Sequence, residues 1–363
     1  MRENRGTGRR QLVSCLGTLQ LKRHWWGSRC RCEATGYGVD DVLGLDGSWT
    51  RTLQQHLCRL SADVSFAKTQ EHLSALLGVA LSKEAIRQQC HRQGRRLVPW
   101  QTEEESTPKA FAAAAGQVEF TVDAGKVNTR EVGWKDLKIG VFQKRAAAES
   151  ATPAEWESRA LPAPNVRVAW AAIAPAKRFR RTWRRWSRRL GVKQAGELHV
   201  LADGARWIWR AVQRVFTGSR QTLDIYHACG HLAKAGERLY GEGTEAAETF
   251  LEHGRQLLLE AGWTGICQLV GEEYAKGDTP QRRSALEKLV GYFAKHTQRL
   301  AYRERLAAGQ AIGSGSVEGW AKTLGLRLKA RGARWREKNV PGMSALICVR
   351  NGSQWPTYWS RAA

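Results

Sequence analysis

The sequence predicts an α/β protein, and three observations carry the prediction. Three β-rich apolar runs follow one another: "VEFTVDAGKV", "LKIGVFQ" and "VRVAWAAI". Helix and strand signals then alternate through "AKRFRRTWRRWSRRL", "ELHVLAD", "GARWIWRAVQRVF" and "QTLDIYH". From His227 to about Gly309 only helical periodicity remains. Three consecutive strands followed by alternating helix and strand is the order of the RNase H-like fold. The expected architecture is an RNase H-like core, residues 117–226 and 312–363, interrupted by an all-helical insertion, 227–311. A small helical N-terminal region precedes it.

The bulk properties bound the partners. The chain has 363 residues, 42 % of them hydrophobic, and a formal net charge of +24. So large a positive charge points to a polyanion, above all nucleic acid. No apolar run approaches the roughly 18 residues of a membrane span. Its start, "MRENRGTGRRQLVSC", lacks a signal-peptide core. Cysteines scattered from Cys15 to Cys348 suit reduced thiols in the cytoplasm rather than a disulfide frame.

Residues 1–50 are basic, glycine-rich and without an assignable period. Cys30 and Cys32 stand only two apart with no second pair near them, a spacing that argues against a tetrahedral zinc site. Residues 51–99 read as helices. "SFAKTQEHLSALLG" ends at Gly78, and Ser82 is placed to cap the helix that restarts in "SKEAIRQQCHRQGRRL". Helix, short turn, helix with a basic end fits a helix-turn-helix or an ordinary helical hairpin. "PWQTEEESTPKAFAAAAG" (Pro99–Gly116) has the composition of a linker, assigned to 100–116.

In Ala176–Leu190, Phe179, Trp183, Trp186 and Leu190 fall on one helical face, a stripe better suited to a core than to base stacking. Arg184, Arg185, Arg188 and Arg189 lie on the remaining surface, solvated or facing DNA. Trp207 and Trp209 are expected to pack their helix on the sheet. "IGSGSVEGWAKTLGLRLKARG" (Ile312–Gly332) sets one acid, Glu318, after a turn-like glycine–serine stretch and ahead of Lys322, Arg327, Lys329 and Arg331. Alone, Glu318 is a first-turn acid and Ser314 or Ser316 a cap.

The strand pattern changes that reading. The first strand is expected to end at Asp123 and the fourth at Asp203; in an RNase H-like sheet these strands are neighbours, so their acids meet. An acid on a later helix over the sheet completes the set. Phosphodiester chemistry needs two hard cations roughly 3.5–4 Å apart, held by carboxylates. One activates the attacking water or hydroxyl, the other stabilises the leaving oxygen. Negative ligands facing a polyanion require a basic surround. Asp123, Asp203 and Glu318 are therefore the expected catalytic metal ligands, for Mg²⁺ or Mn²⁺. Lys322, Arg327, Lys329, Arg331 and Arg334 are the expected phosphate contacts. Asp224 and His227 end a fifth short strand; His227 orients the scissile strand or a metal ligand, or is a satisfied core histidine.

The blocks "VDAGKVNTREVGWKDLKIGVF", "HVLADGARWIWRAVQRVF", "DIYHACGHL" and "IGSGSVEGWAKTLGLRLKARGARW" resemble the DDE-type insertion-sequence transposases of the ISKra group, relatives of the Mutator-like type. The resemblance covers nearly the whole chain in motif order and spacing. It implies that Asp123, Asp203 and Glu318 bind the metals and that Asp224 and His227 form an auxiliary D-x-x-H element. It implies DNA cleavage by water and strand transfer by the freed 3′-hydroxyl, with transposon ends and target DNA as substrates. A homodimer or higher oligomer on DNA and a bacterial, nucleoid-associated cytoplasmic location follow as expectations. The chain departs from the family in having Ala124 where glycine is common and Cys30-x-Cys32 in place of Cys-x-x-Cys. It also begins late, so an N-terminal piece with end-recognition surface is expected to be missing. Two alternatives share these features: an RNase H-like nuclease without strand transfer, and a catalytically inactive DNA-binding descendant. Beyond charge, nothing favours an RNA partner.

Overall fold

A computed structural model describes residues 2–28, 36–43, 45 and 47–360. Cys30 and Cys32, and the zinc question with them, lie outside the described residues. The N-terminal segment, patternless in sequence, is an antiparallel hairpin of β1 (Arg2–Ser14) and β2 (Gly17–Ser28). A short helix, α1 (Gly38–Val42), is tied back to it by Asp40, which pairs with Arg10 and Arg23.

Three helices follow: α2 (Arg51–Asp63), α3 (Phe66–Leu77) and α4 (Lys83–Glu103). Ser65 and Ser82 cap α3 and α4 by accepting the N–H groups of Lys68 and Ala85. Gly78 closes α3 in the left-handed region at φ 63°. Two expectations are corrected here. The stretch 100–116 is no linker: α4 continues through Pro99 to Glu103, and α5 (Ser106–Ala113) follows with Phe111 buried. Glu104 accepts from the backbone of Ser106 and Thr107, so the acids that mimic a linker cap a helix. Nor do these helices form a separate module. Leu53, Leu57, Ile86 and Leu97 share one core with Leu137, Ile139 and Val141 of the sheet and with Met343, Leu346 and Ile347 near the C-terminus.

The central sheet contains β3 (Gln117–Thr129), β4 (Gly133–Arg145), β5 (Val166–Ala172), β6 (Leu198–Ala202) and β7 (Arg220–Leu223). Their spatial order is β5-β4-β3-β6-β7. β3, β4 and β5 run antiparallel; β6 and β7 run parallel to β3. The strand expected to stop at Asp123 runs on to Thr129, leaving Asp123 in its interior. Two crossover helices, α6 (Ala176–Arg189) and α7 (Arg206–Val215), cover one face. There Phe179, Trp183, Trp186 and Trp209 pack on Val118, Phe120 and Val122, as their helical spacing predicts. The opposite face of β3 carries Val127, in the core with the N-terminal helices, and by the two-residue period of a strand Asp123 as well.

The helical insertion comprises α8 (Ile225–Tyr240), α9 (Glu245–Ala275), α10 (Pro280–Phe293) and α11 (Tyr302–Ala307). α9 breaks at Gly262, φ 56°, where a Cβ would come 2.7 Å from the Leu300 carbonyl. The insertion covers the exposed edge of β7: Tyr302 Oη donates to the Leu223 carbonyl, Arg299 to Gln221 and Arg305 to Thr222.

Three helices end the chain: α12 (Gly315–Leu328), α13 (Val340–Asn351) and α14 (Trp355–Ser360). α13 is a core helix, its residues from Gly342 to Val349 buried. The segment is apolar all round, without the amphipathic period that marks a surface helix. It crosses α4 backbone to backbone. A Cβ on Gly94 would lie 2.6 Å from the Gly342 carbonyl oxygen. Among the described residues no helix is long and apolar enough to cross a membrane.

Candidate active site

Strand register sets the acids. Val122 of β3 pairs with Ala202 of β6, and Ala202 with Leu223 of β7. Asp123, Asp203 and Asp224 are the next residues of the three chains, so they stand in one row across parallel neighbours, about 4.8 Å between strands. The Asp224 N–H donates to the Ala202 carbonyl at 2.9 Å, extending the ladder to the end of that row.

Glu318 enters from α12, whose buried side, Val317, Trp320, Leu324 and Leu328, lies on the sheet face that carries Asp123. Two serines anchor its first turn. Ser316 Oγ donates to Gln143 Oε1 at 2.7 Å, on β4. Ser314, the residue before α12, makes no cap bond to the helix. Its N–H donates to Asp224 Oδ2, and its Oγ lies 2.8 Å from that same oxygen and 3.0 Å from Glu318 Oε1. One hydroxyl proton serves one of the two carboxylates at a time. The other contact is relieved when Glu318 is protonated or meets a cation.

Asp224 is fully buried and caps α8. Its Oδ1 accepts from the His227 N–H at 2.8 Å and lies 3.0 Å from His227 Nδ1. Burial works to raise its carboxyl, but the hydrogen bonds from His227 and Ser314 outweigh burial and hold it below its ordinary value. Both oxygens are thus engaged, and Asp224 acts as the platform that orients His227 and Ser314. The His227 imidazole is pushed up to about 9, chiefly by its bond to Asp224.

Asp203 and Glu318 shift the other way. Burial raises Asp203, and Asp123 and Asp224 add to it against the opposing Ala205 N–H. Burial also raises Glu318, and Asp224 adds to it. Crowded carboxylates that hold protons above their ordinary range are a set that a divalent cation would satisfy. One ligand atom each from Asp224, His227 and Glu318 also lie within 4.8 Å of one another. The carboxylate oxygens among these suit hard cations such as Mg²⁺ or Mn²⁺. Asp224 has its oxygens committed, and His227 is held in its protonated form. Asp123 and Asp203 are not in that group, though the charge of Asp123 acts on both Asp203 and Glu318.

The basic residues separate. Lys322, Lys329, Arg331 and Arg334 are exposed on α12 and the segment after it. A hollow lined by Asp123, Lys322 and Lys329 joins the first two to Asp123. Arg327, expected among the phosphate contacts, sits apart from them and is only 4 % exposed. Its Nε donates to the Ser61 carbonyl at 2.6 Å, and its guanidinium faces Phe66 and Trp335. Arg184, Arg185 and Arg188 are exposed and Arg189 is half-buried. They belong to α6, on the sheet face opposite Asp123, so they do not surround the acids.

Sequence reasoning missed Ser314 as the bridge between Asp224 and Glu318; a capping serine has the same local signature. It also missed Tyr226, 59 % exposed at the mouth of the site, whose ring a Cβ on Gly313 would meet at 3.1 Å. No protein-family model matches the chain, and no curated protein matches it. Among solved structures, the "Drosophila P element transposase strand transfer complex" is similar at 8 % identity and a TM-score of 0.35, over 86 % of this chain and 94 % of that one. So loose a likeness assigns neither fold family nor function.

Proposed function

We propose that the chain is a DNA transposase with an RNase H-like catalytic core. It would cleave DNA with water as nucleophile and join the freed 3′-hydroxyl to target DNA in the same site. One observation carries the reading: Asp123, Asp203 and Asp224 follow one registered row of the sheet, and Ser314 ties Glu318 to the end of it. The strand order, with two parallel strands flanking an antiparallel trio, supports the RNase H-like assignment. The motif resemblance supports transposition over other uses of such a core.

In this reading Asp123, Asp203 and Glu318 hold two Mg²⁺ or Mn²⁺ ions, which when bound activate the attacking oxygen and stabilise the leaving one. Asp224 holds the protonated His227 by its Nδ1–H, leaving the Nε2–H to donate to a phosphate oxygen. The bridge from Asp224 through Ser314 holds the Glu318 carboxylate toward the row. Lys322 and Lys329 line the approach for the DNA backbone. Joining two ends calls for a dimer or larger assembly on DNA.

The test incubates protein with a supercoiled plasmid carrying the DNA that flanks its gene, with Mg²⁺, Mn²⁺ or EDTA. Metal-dependent nicking plus joining of a labelled 3′-end is expected. Nicking without joining would make the protein a nuclease. DNA binding without nicking would leave an inactive descendant.

A further inference from the structure

A large concavity lies away from the acids. A groove of about 1430 Å³ opens between α4 and the segment that follows α12. Lys83 and Arg95 stand on one wall; Arg130, Arg331, Arg334 and Lys338 stand on the other. None of the six is in an ion pair among the described residues, and the one carboxylate in the lining, Glu84, is already paired with Arg87. This accumulation of like charge destabilises the free protein, and a solvated surface has no need to gather it in a concavity.

The floor points to a ligand independently. Arg327 is 4 % exposed and lines the groove, yet its Nη2 has no acceptor among the described residues. Beside it His91, 7 % exposed, leaves Nδ1 without a partner. A buried charged donor without an acceptor is costly, and an anion seated on the floor would remove that cost. The aromatic rings there face one another and Arg327 rather than the opening: Trp335 is 7 % exposed and packs edge-on to Phe66 and His91. The donors that reach the groove are guanidinium, ammonium and imidazole groups, which suit phosphate oxygens.

Its position links it to the acids. Arg327 lies nine residues beyond Glu318 on α12, roughly 14 Å along the axis. That is about four phosphates of one strand. The hollow lined by Asp123, Lys322 and Lys329 reaches Ala330, which also lines the groove.

We propose that this groove seats the sugar–phosphate backbone of duplex DNA flanking the reacting bond, with one phosphate received by Arg327 and His91. The inference rests on the DNA reading above, and its test needs no cleavage. Binding of a fluorescent 30-base-pair DNA duplex is measured by anisotropy in EDTA over a salt series, for the full chain. Arg95→Glu/Arg334→Glu is expected to weaken binding about tenfold or more at about 0.1 M salt and to lower the log–log salt slope by about 2. The control pair Lys288→Glu/Arg303→Glu, which does not line the groove, should change it far less. Arg327→Lys keeps the charge but loses Nη2 and should weaken binding severalfold with the salt slope little changed; should that variant not fold, the surface pair carries the test. Unchanged binding in the groove variants, equal loss in the control pair, or tighter binding of single strands or an RNA duplex would overturn the proposal. Absence of metal-dependent nicking in a protein whose groove variants lose DNA would fault the transposase reading alone.

Discussion

Ser314 directs both its backbone N–H and its hydroxyl at one carboxylate oxygen of Asp224, ninety positions earlier in the chain. The same hydroxyl reaches Glu318. A residue that looks like a helix cap is thus the joint between the end of the sheet and the helix that carries the third acid. Ser314→Ala is expected to lower metal-dependent cleavage by about 10–100-fold, in line with losing an outer hydrogen bond to a metal ligand. Metal titration of the rate should show the loss as weaker apparent affinity. A rate equal to that of the parent would remove Ser314 from the site.

The acids themselves should behave differently from their supports. Asp123→Asn, Asp203→Asn and Glu318→Gln are each expected to reduce nicking by more than about a hundredfold. DNA binding in EDTA should hold or improve, because each change removes a negative charge facing phosphate. Parallel anisotropy and nicking assays check this. A variant that loses binding and cleavage together would indicate a folding defect rather than a missing ligand.

His227 offers a pH readout. Its bond to Asp224 raises the imidazole to about 9, above the unfolded value of about 6.5. The pairing therefore stabilises the folded protein fully below about 6.5, and that contribution fades as pH rises through about 9. NMR titration of the imidazole in EDTA should place its midpoint near 9, and Asp224→Asn should return it toward the ordinary range. An ordinary midpoint in the parent would contradict the contact.

Stability should hinge on the crossing of α4 and α13. Gly94→Val places side-chain atoms against the Gly342 backbone, which cannot move without dragging a buried helix. The expected loss is about 3 kcal/mol, read by chemical denaturation, because overpacking of a rigid contact is relieved only by separating the helices. A loss below about 0.5 kcal/mol would mean that the crossing is looser than described.

Much of the sheet was legible because its signals are local. The apolar runs of β3 to β7 alternate or stay buried in the way that strands require, and Gly78 and Ser82 announce the end of α3 and the start of α4. The Phe179–Trp183–Trp186 stripe marks its own buried face. Boundaries failed where composition imitates something else. The acids of 103–105 read as a linker, whereas Glu104 caps α5. The end of β3 was misplaced because Asp123 resembles a strand-end aspartate, while pairing with Ile139 carries the strand past it.

By itself the sequence determined which residues could do chemistry: the acids at 123, 203, 224 and 318, the neighbouring histidine, and the surplus of positive charge. It also determined the order of elements, since hydrophobic period and capping act over a few residues. Only the tertiary structure decided what each charge faces. Burial turned Arg327 inward to Ser61, Phe66 and Trp335; the strand period put the α6 arginines behind the sheet; register brought three aspartates into one row. The reason is physical. Solvation and electrostatic pairing depend on distance in space, and in this chain the decisive partners, such as Ser314 and Asp224 or Gly94 and Gly342, are remote in sequence.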